Sequence, residues 1–488
     1  MRLGTPANAQ APSPAPQKNP HKQIKTIVAS GVAEVLLDRP KALNALNEPM
    51  VLALRRLYAE WDAAAATRSA PSSTAVAAIV LRAAPSVRDR AFCAGGDVKG
   101  VVQAAREGRG REALRFFEHE YACDWAIGGP LARDLERATP LSSSAAAASP
   151  ASSPLPLRVA LVDGIVMGGG VGLSLHGHAV VATERTVFAM PEVAIGLHPD
   201  VGAMARLMGG SGGGVLTPRV GLWLALSGAR VGGAALKALG LATHCVPSSR
   251  LDEVVAALRS RAADKGAAPL AGDPAAMSEA LAAFEFGSEQ EAEEAAAAAA
   301  AGKGAMTARE LRARLPLIER AFAAGEAKRR AGDPGGAVAD VLDALSAAAA
   351  ADGGDAASFA AATAAAIESG SALSAAVTLE YAHRVSAAST SSSSSGLLRT
   401  CLATDYGLVQ RFVVAGAKEG DFWEGVRAKL IDRGTPAARW RYSHAREVPP
   451  EAVLGMFAPL DARDVERALR GAGIWADDEG AAAGRARL

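Results

Sequence analysis

Leu157-Arg158-Val159-Ala160-Leu161-Val162-Asp163-Gly164-Ile165-Val166-Met167-Gly168-Gly169-Gly170-Val171-Gly172-Leu173-Ser174-Leu175 is the stretch whose reading decides the fold. Leu157 to Val162 is an apolar run suited to a buried strand, and Val171 to Leu175 can start a helix. The glycines between them allow a sharp strand-to-helix turn and let backbone N–H groups approach a ligand with no Cβ in the way. Such N–H groups at a helix start favour negative charge, whether a phosphate or a developing oxyanion. On its own this turn is as often a packing device as a site. A dinucleotide fold fits less well, because the glycines lack the expected position near a domain start and the ribose-binding acid downstream.

Working outward, Val32 to Leu37 and Val76 to Leu81 read as further strands. Met50, Leu54, Leu57 and Trp61 share one helical face behind an Asn47 cap, with Pro49 in the first turn. Strand and helix patterns alternate from residue 23 to about residue 261, the mark of an α/β architecture. A second glycine turn, Ala91-Phe92-Cys93-Ala94-Gly95-Gly96-Asp97, again precedes a helical run. Beyond Asp264 only helical patterns remain: Leu311, Leu315, Ile318 and Phe322 share a face, as do Val338, Val341, Leu342 and Leu345.

This divides the chain into an N-terminal segment 1–22 expected to be disordered, an α/β domain 23–264, a helical region 265–460 and a tail 461–488. Low-complexity stretches near 141–156, 289–304 and 386–396 read as insertions, since none carries the apolar pattern of a packed element.

The 488 residues exclude a minimal disulfide- or metal-stapled module. Lys and Arg (52) nearly cancel Asp and Glu (51), for a formal charge of +1, which argues against a dedicated nucleic-acid or membrane-surface binder. Cys93, Cys123, Cys245 and Cys401 form no CxxC pair and have no His at metal-ligand spacing, so they read as reduced structural thiols and no metal site is expected. No apolar run reaches the ~18 residues that span a bilayer, and a soluble or peripheral protein is expected. The N-terminal segment has no acidic residue but only one Arg, a weak transit-peptide trait, while Ala486-Arg487-Leu488 is a variant of the Ser-Lys-Leu peroxisomal address.

Two glycine turns can supply one N–H each to a single oxyanion, the arrangement that acyl chemistry requires. The carboxylates that stand out are Glu192, in Met190-Pro191-Glu192, and Asp200, in Leu197-His198-Pro199-Asp200. A first-turn helix carboxylate and a turn or cap residue are the plainer readings of these two.

Asp38-Arg39-Pro40-Lys41-Ala42-Leu43-Asn44-Ala45-Leu46, the Ala91 to Asp97 turn, Asp163 to Gly172 and Phe188-Ala189-Met190-Pro191-Glu192-Val193-Ala194-Ile195-Gly196 occur in order and at suitable spacing. Together they resemble the enoyl-CoA hydratase/isomerase (crotonase) superfamily. Within it the chain is most similar to the 3-hydroxyisobutyryl-CoA hydrolases. Gly172 stands where hydratases place a first catalytic Glu, Pro199-Asp200-Val201-Gly202 follows, and Phe422 to Asp432 is similar to the hydrolase C-terminal signature. The resemblance covers about residues 23 to 460. In one departure, Met204-Ala205-Arg206 and a glycine-rich stretch, 209–214, stand where the family commonly has aromatic residues.

The resemblance implies an α/β spiral of ββα units with a helical C-terminal region and an acyl-CoA thioester bound along it. Position by position, Gly96 and Gly169 would give the oxyanion N–H groups, and Glu192 and Asp200 the catalytic carboxylates. Glu120 matches the family's further substrate-contacting acid, with Glu118 the alternative. Lys41, Ala42, Leu43, Ala94 and Asp97 would border CoA, and Arg39 and Lys41 are either phosphate contacts or solvated bases. CoA belongs to the substrate, so no cofactor is expected, nor any nucleic-acid or membrane partner. The implied reaction is hydrolysis of 3-hydroxyisobutyryl-CoA in valine breakdown, in the mitochondrial matrix or the peroxisome. The competing readings are an isomerase with Glu192 as proton shuttle, and a non-catalytic member of a larger assembly such as a mitochondrial ribosome.

Overall fold

Six strands lie side by side in the larger sheet, five of them buried along their whole length and the edge strand Ile24–Ala29 largely exposed. The computed structural model describes residues 23–66, 76–138, 155–209, 214–263, 270, 272–299, 304–351, 353–389, 394–416, 419–433 and 435–458. The N-terminal segment, most of the stretch near 141–156, the glycines at 210–213 and the tail lie outside the described residues.

In chain order the α/β part runs β1 (Ile24–Ala29), β2 (Val32–Leu37), α1 (Glu48–Ala66), β3 (Ala78–Ala83), β4 (Ala91–Cys93), α2 (Val98–Arg106) and α3 (Gly110–Ala138). It continues with β5 (Leu157–Val162), β6 (Ile165–Met167), α4 (Gly169–Leu175), β7 (Ala179–Thr183), β8 (Val187–Ala189), α5 (Ala203–Met208) and α6 (Pro218–Ser227). β9 (Val231–Gly232), α7 (Gly233–Leu239), β10 (His244–Val246) and α8 (Leu251–Ala263) complete it.

One sheet has the order β1-β2-β3-β5-β7-β10 and the other β4-β6-β8-β9. In the pairs β3–β4, β5–β6 and β7–β8 the first strand joins the large sheet and the second the small one, whereas β1 and β2 both lie in the large sheet. Pairing is parallel except at β1–β2 and β8–β9, the pattern of units connected by crossovers. The large sheet is covered on both faces: Val80, Val159, Leu161 and Val181 pack toward α8, while Ile79, Leu81, Ala160 and Val162 face the main core. Alternation with period two within continuous apolar runs is how such doubly covered strands read.

The expected strands and α1 form. Val76 to Leu81 begins two residues later, at Ala78. On α1 the Asn47 Oδ1 accepts the Met50 N–H at 3.1 Å, Met50 and Leu54 are buried as expected, and Tyr58 and Ala65 are buried in place of the half-buried Leu57 and Trp61. The reading of 289–304 as unpacked is corrected: Glu289–Ala298 is a helix. Ser288 Oγ accepts the Glu291 N–H, acids fill the first turn, and Glu289 pairs with Arg312, so capping and alanine propensity replace the missing apolar stripe. The polyserine stretch is likewise shorter than read, because helix Ala372–Ser389 runs into it and helix Ser394–Val409 starts inside it. The remaining C-terminal elements are helical, and all four cysteines are free and buried. Among the described residues no single helix is long and apolar enough to cross a membrane.

Candidate active site

Because β4, β6 and β8 are parallel neighbours, the segments that leave their C-terminal ends emerge on one side of the small sheet. Those segments are Ala94 to Asp97, Gly168 to Gly170 and Met190 to Glu192. Sheet order alone therefore brings together three motifs spread over about a hundred residues.

The two glycine turns lie against each other. A Cβ built on Gly95 would stand 3.9 Å from the Gly169 nitrogen, and one on Gly168 would stand 3.5 Å from Gly95 Cα. Gly95 (φ 104) and Gly168 (φ 47) hold conformations that side chains rarely adopt. Leu46 bridges this turn by donating to Gly95 O and accepting from the Asp97 N–H, both at 2.7 Å, so the Gly96 N–H faces the opposite side. Gly169 is the first residue of α4, where a helix has no acceptor of its own for the N–H. A Cβ on Gly169 would overlap Glu120 Oε1, and one on Gly168 would press on Glu192 Oε1 at 3.0 Å. Two N–H groups and two carboxyl groups thus converge on one small volume.

Four carboxyl groups are buried here: Glu120 (3% exposed), Asp124 (0%), Glu192 (5%) and Asp200 (5%). Glu120 Oε1, Glu192 Oε2 and both Asp124 oxygens have no hydrogen-bond partner among the described residues. Burial pushes Glu120, Asp124 and Glu192 well above the ordinary carboxylate range, and the Asp200 charge pushes each of them further. Asp200 is pushed only up to about 6: burial raises it, while the field of His198 and the Tyr121 hydroxyl, donating to Oδ2 at 2.8 Å, hold it down. Glu192 opens a 3-10 turn, Glu192–Ile195, and Asp200 lies in the turn before α5, so both plainer readings of the sequence describe the backbone correctly.

A sequence-family model for enoyl-CoA hydratase/isomerase matches residues 32–129 and 151–457. The chain belongs to the enoyl-CoA hydratase/isomerase family. Among curated relatives, 3-hydroxyisobutyryl-CoA hydrolase 1 of Arabidopsis thaliana is 37% identical over 239 residues, 48% of this chain and 51% of the relative. The mitochondrial 3-hydroxyisobutyryl-CoA hydrolase of Xenopus laevis is 39% identical over 232 residues, 47% and 48% of the two chains. In these alignments the chain spans about half the length of the curated relatives it matches. With the Danio rerio protein of the same name the identity is 29% over 436 residues, 88% of each chain. Among solved structures, a carnitinyl-CoA dehydratase from Mycobacterium thermoresistibile superposes with a TM-score of 0.63 at 28% identity, covering 90% of this chain and 98% of its own. An enoyl-CoA hydratase from Rhodobacter sphaeroides gives 0.60 at 27%, with the same coverage.

In this member of the family the segment expected to border CoA lies directly on the first glycine turn. Ala94 N–H donates to Leu43 O at 3.0 Å, and buried Asn44 anchors the segment by donating to Phe92 O at 2.9 Å. Lys41 is exposed, and Ala42, Leu43, Ala94 and Asp97 are half-buried. Arg39 is half-buried and bonds Asp97 Oδ2 at 2.7 Å and Ala45 O at 2.6 Å, strapping the two segments together. Glu118 accepts from the Tyr406 hydroxyl at 2.6 Å, so Glu120, not its neighbour, reaches the glycine turns.

The sequence reading missed Asp124, Tyr121 and the pair His198–Asp405. Asp124 lies one turn beyond Glu120 on α3, and its Oδ1 fills the volume left by Gly172, 2.6 Å from where a Cβ would be. The signal available for it was the i, i+4 spacing of two acids on an otherwise apolar stretch of helix.

Proposed function

We propose that the chain hydrolyses a β-hydroxyacyl-CoA thioester, with 3-hydroxyisobutyryl-CoA as its substrate. The observation that carries this reading is the convergence of the Gly96 and Gly169 N–H groups with Glu192, whose Oε2 has no partner among the described residues, at the ends of parallel strands. The curated relatives named for that hydrolase activity support the choice of substrate.

With the thioester carbonyl oxygen between the two N–H groups, negative charge developing on it is stabilised, each donor contributing roughly 3 kcal/mol. Glu192 then has two routes. As a base it takes a proton from water while the water oxygen bonds the carbonyl carbon, and it returns that proton to the sulfur as the C–S bond breaks. As a nucleophile it bonds the carbon itself, expels the thiolate and leaves an anhydride that water cleaves. Either way the products are the free acid and CoA thiol.

Burial raises the Glu192 carboxyl and the Asp200 charge raises it further. Asp200, pushed up to about 6, is the carboxyl whose proton loss sets the acid limb of the pH profile. Asp200 on its turn, with Glu120 beside the N–H groups, positions the acyl hydroxyl or the water. Lys41, Ala42, Leu43, Ala94 and Asp97 form the rim along which CoA lies, and the reaction needs no cofactor because CoA enters as part of the substrate. We place the reaction in the mitochondrial matrix, in line with the names of the frog and zebrafish relatives.

The test is release of free thiol by the purified protein from 3-hydroxyisobutyryl-CoA, beside crotonyl-CoA and acetyl-CoA. Rapid release from the first alone is expected. Silence on all three from folded protein overturns the reading in favour of a non-catalytic family member, and double-bond migration without thiol release would make the chain an isomerase. A reporter carrying the C-terminal tail, with and without Ala486-Arg487-Leu488, checks the compartment; import into peroxisomes would overturn the mitochondrial placement.

A further inference from the structure

The Asp200 turn is held in a conformation its own residues do not favour. Val201 has φ 54 and Gly202 φ 69, two successive left-handed residues of which the first is β-branched. Such a turn persists only where its surroundings over-determine it. Three groups do so. His176 Nε2 donates to Val201 O at 2.8 Å, the Tyr121 hydroxyl donates to Asp200 Oδ2, and the Gly202 N–H donates to Asp405 Oδ2 at 2.8 Å.

Asp405 lies on helix Ser394–Val409, 207 residues from His198, and its second oxygen meets His198 Nε2 at 3.2 Å. Both side chains are fully buried, His198 packed between Phe412, with rings stacked at 5.7 Å, and Tyr381 at 5.9 Å. One carboxylate of the helical region therefore grips the Asp200 turn on both sides, at residues 198 and 202.

Resting on the hydrolase reading, we propose that Asp405 is a positioning residue: through His198 and the Gly202 N–H it sets the place and the charge of the Asp200 carboxyl, so that the helical region completes the active site. Asp200 and this pair are faced by Tyr121, Glu120 and Asp124 from α3, by Glu192 from the 3-10 turn on the Asp200 side, and by Tyr381 and Cys401 from the C-terminal helices on the Asp405 side. His198 is the basic group whose field lowers Asp200, against burial and the Asp405 charge, which raise it.

The experiment is the pH profile of thiol release from 3-hydroxyisobutyryl-CoA by the wild-type protein, His198→Gln, Asp405→Asn and Phe412→Leu. The His198→Gln side chain keeps a donor for Asp405 but no charge, so the acid limb moves up by about one pH unit. Asp405→Asn lowers kcat about ten- to a hundredfold with KM held within about threefold, because the turn shifts while the CoA rim does not. Phe412→Leu loosens the same packing without touching the charges, and its acid limb stays at the wild-type position. An acid limb unmoved by His198→Gln, or moved as far by Phe412→Leu, overturns the inference, as does a rise of KM matching the loss of kcat in Asp405→Asn. If Asp405→Asn does not fold, the His198→Gln and Phe412→Leu profiles decide. If the wild-type protein releases no thiol, the hydrolase reading falls, and carboxyl NMR of labelled aspartate decides the rest. An Asp200 titration that rises in His198→Gln then supports the grip, and an unchanged one overturns it.

Discussion

Two sets of buried carboxyl groups in this molecule are treated in opposite ways. At the large sheet and its margins each has a cation: Glu34 meets Arg82 at 3.4 Å and also Arg259, and Asp163 bonds Arg185 Nε at 2.9 Å. At the ends of β4, β6 and β8 four others lie together with Tyr121 and the field of His198 as their help, and three of the four have an oxygen without a partner. A buried charge without a counter-ion is costly. The fold therefore neutralises carboxylates that serve packing and leaves raised and mutually coupled those that face the glycine turns, as expected where stability is traded for proton chemistry.

Four changes sharpen or break this contrast. Glu192→Gln should lower kcat for thiol release by about three orders of magnitude, roughly 4 kcal/mol, while thermal unfolding shows no loss of stability. An activity within tenfold of wild type would return Glu192 to the packing set. Arg82→Met should do the reverse. By leaving Glu34 with one partner fewer, and Asp252 without its 2.6 Å contact to Arg82, it costs about 3 kcal/mol in denaturant unfolding, with kcat of the folded protein within about twofold of wild type.

Asp124→Asn tests the unpaired set by stability alone. Burial raises the Asp124 carboxyl above its unfolded value, so between the two values the folded protein binds more protons than the unfolded chain. That contribution falls as pH rises from about 4, by about 1.4 kcal/mol per unit through the window. The Asn side chain does not titrate, so the variant should melt above wild type at about pH 8, with the gap closing toward about pH 4. A gap independent of pH would mean that Asp124 is paired after all. The smallest effect is expected at the rim. Lys41→Ala should raise KM for the CoA thioester about twofold, with the difference vanishing at high salt, because an exposed cation acts on phosphate through screened solvent.

Much of the site was legible in the sequence, and for a local reason. Gly96, Gly169, Glu192 and Asp200 each sit in a short motif whose turn chemistry is written in neighbouring residues, and all four lie in turns or at a helix start. Asp124 was legible only as an acid four residues beyond Glu120, because nothing in Cys123-Asp124-Trp125 reveals that its carboxyl fills the space beside Gly172. Arg39 was read as phosphate-facing or solvated because its partner Asp97 is 58 residues away. The alanine-rich helix Glu289–Ala298 was missed for a different reason: its stability comes from capping and propensity, and a search for an apolar stripe does not see either.

What the sequence determined by itself was the alternation of strand and helix, the glycine turns, and the identity of the carboxylates that follow them, all consequences of backbone preferences acting over a few residues. What only the tertiary structure decided was which groups meet. The order β4-β6-β8 gathers three turns onto one edge, α3 lays Glu120 and Asp124 over α4, and Asp405 closes on His198 from the far end of the chain. The physical reason is that the protonation and placement of a buried carboxyl depend on the dielectric and the partners around it, and those are supplied by segments that only the packed core brings within hydrogen-bond reach.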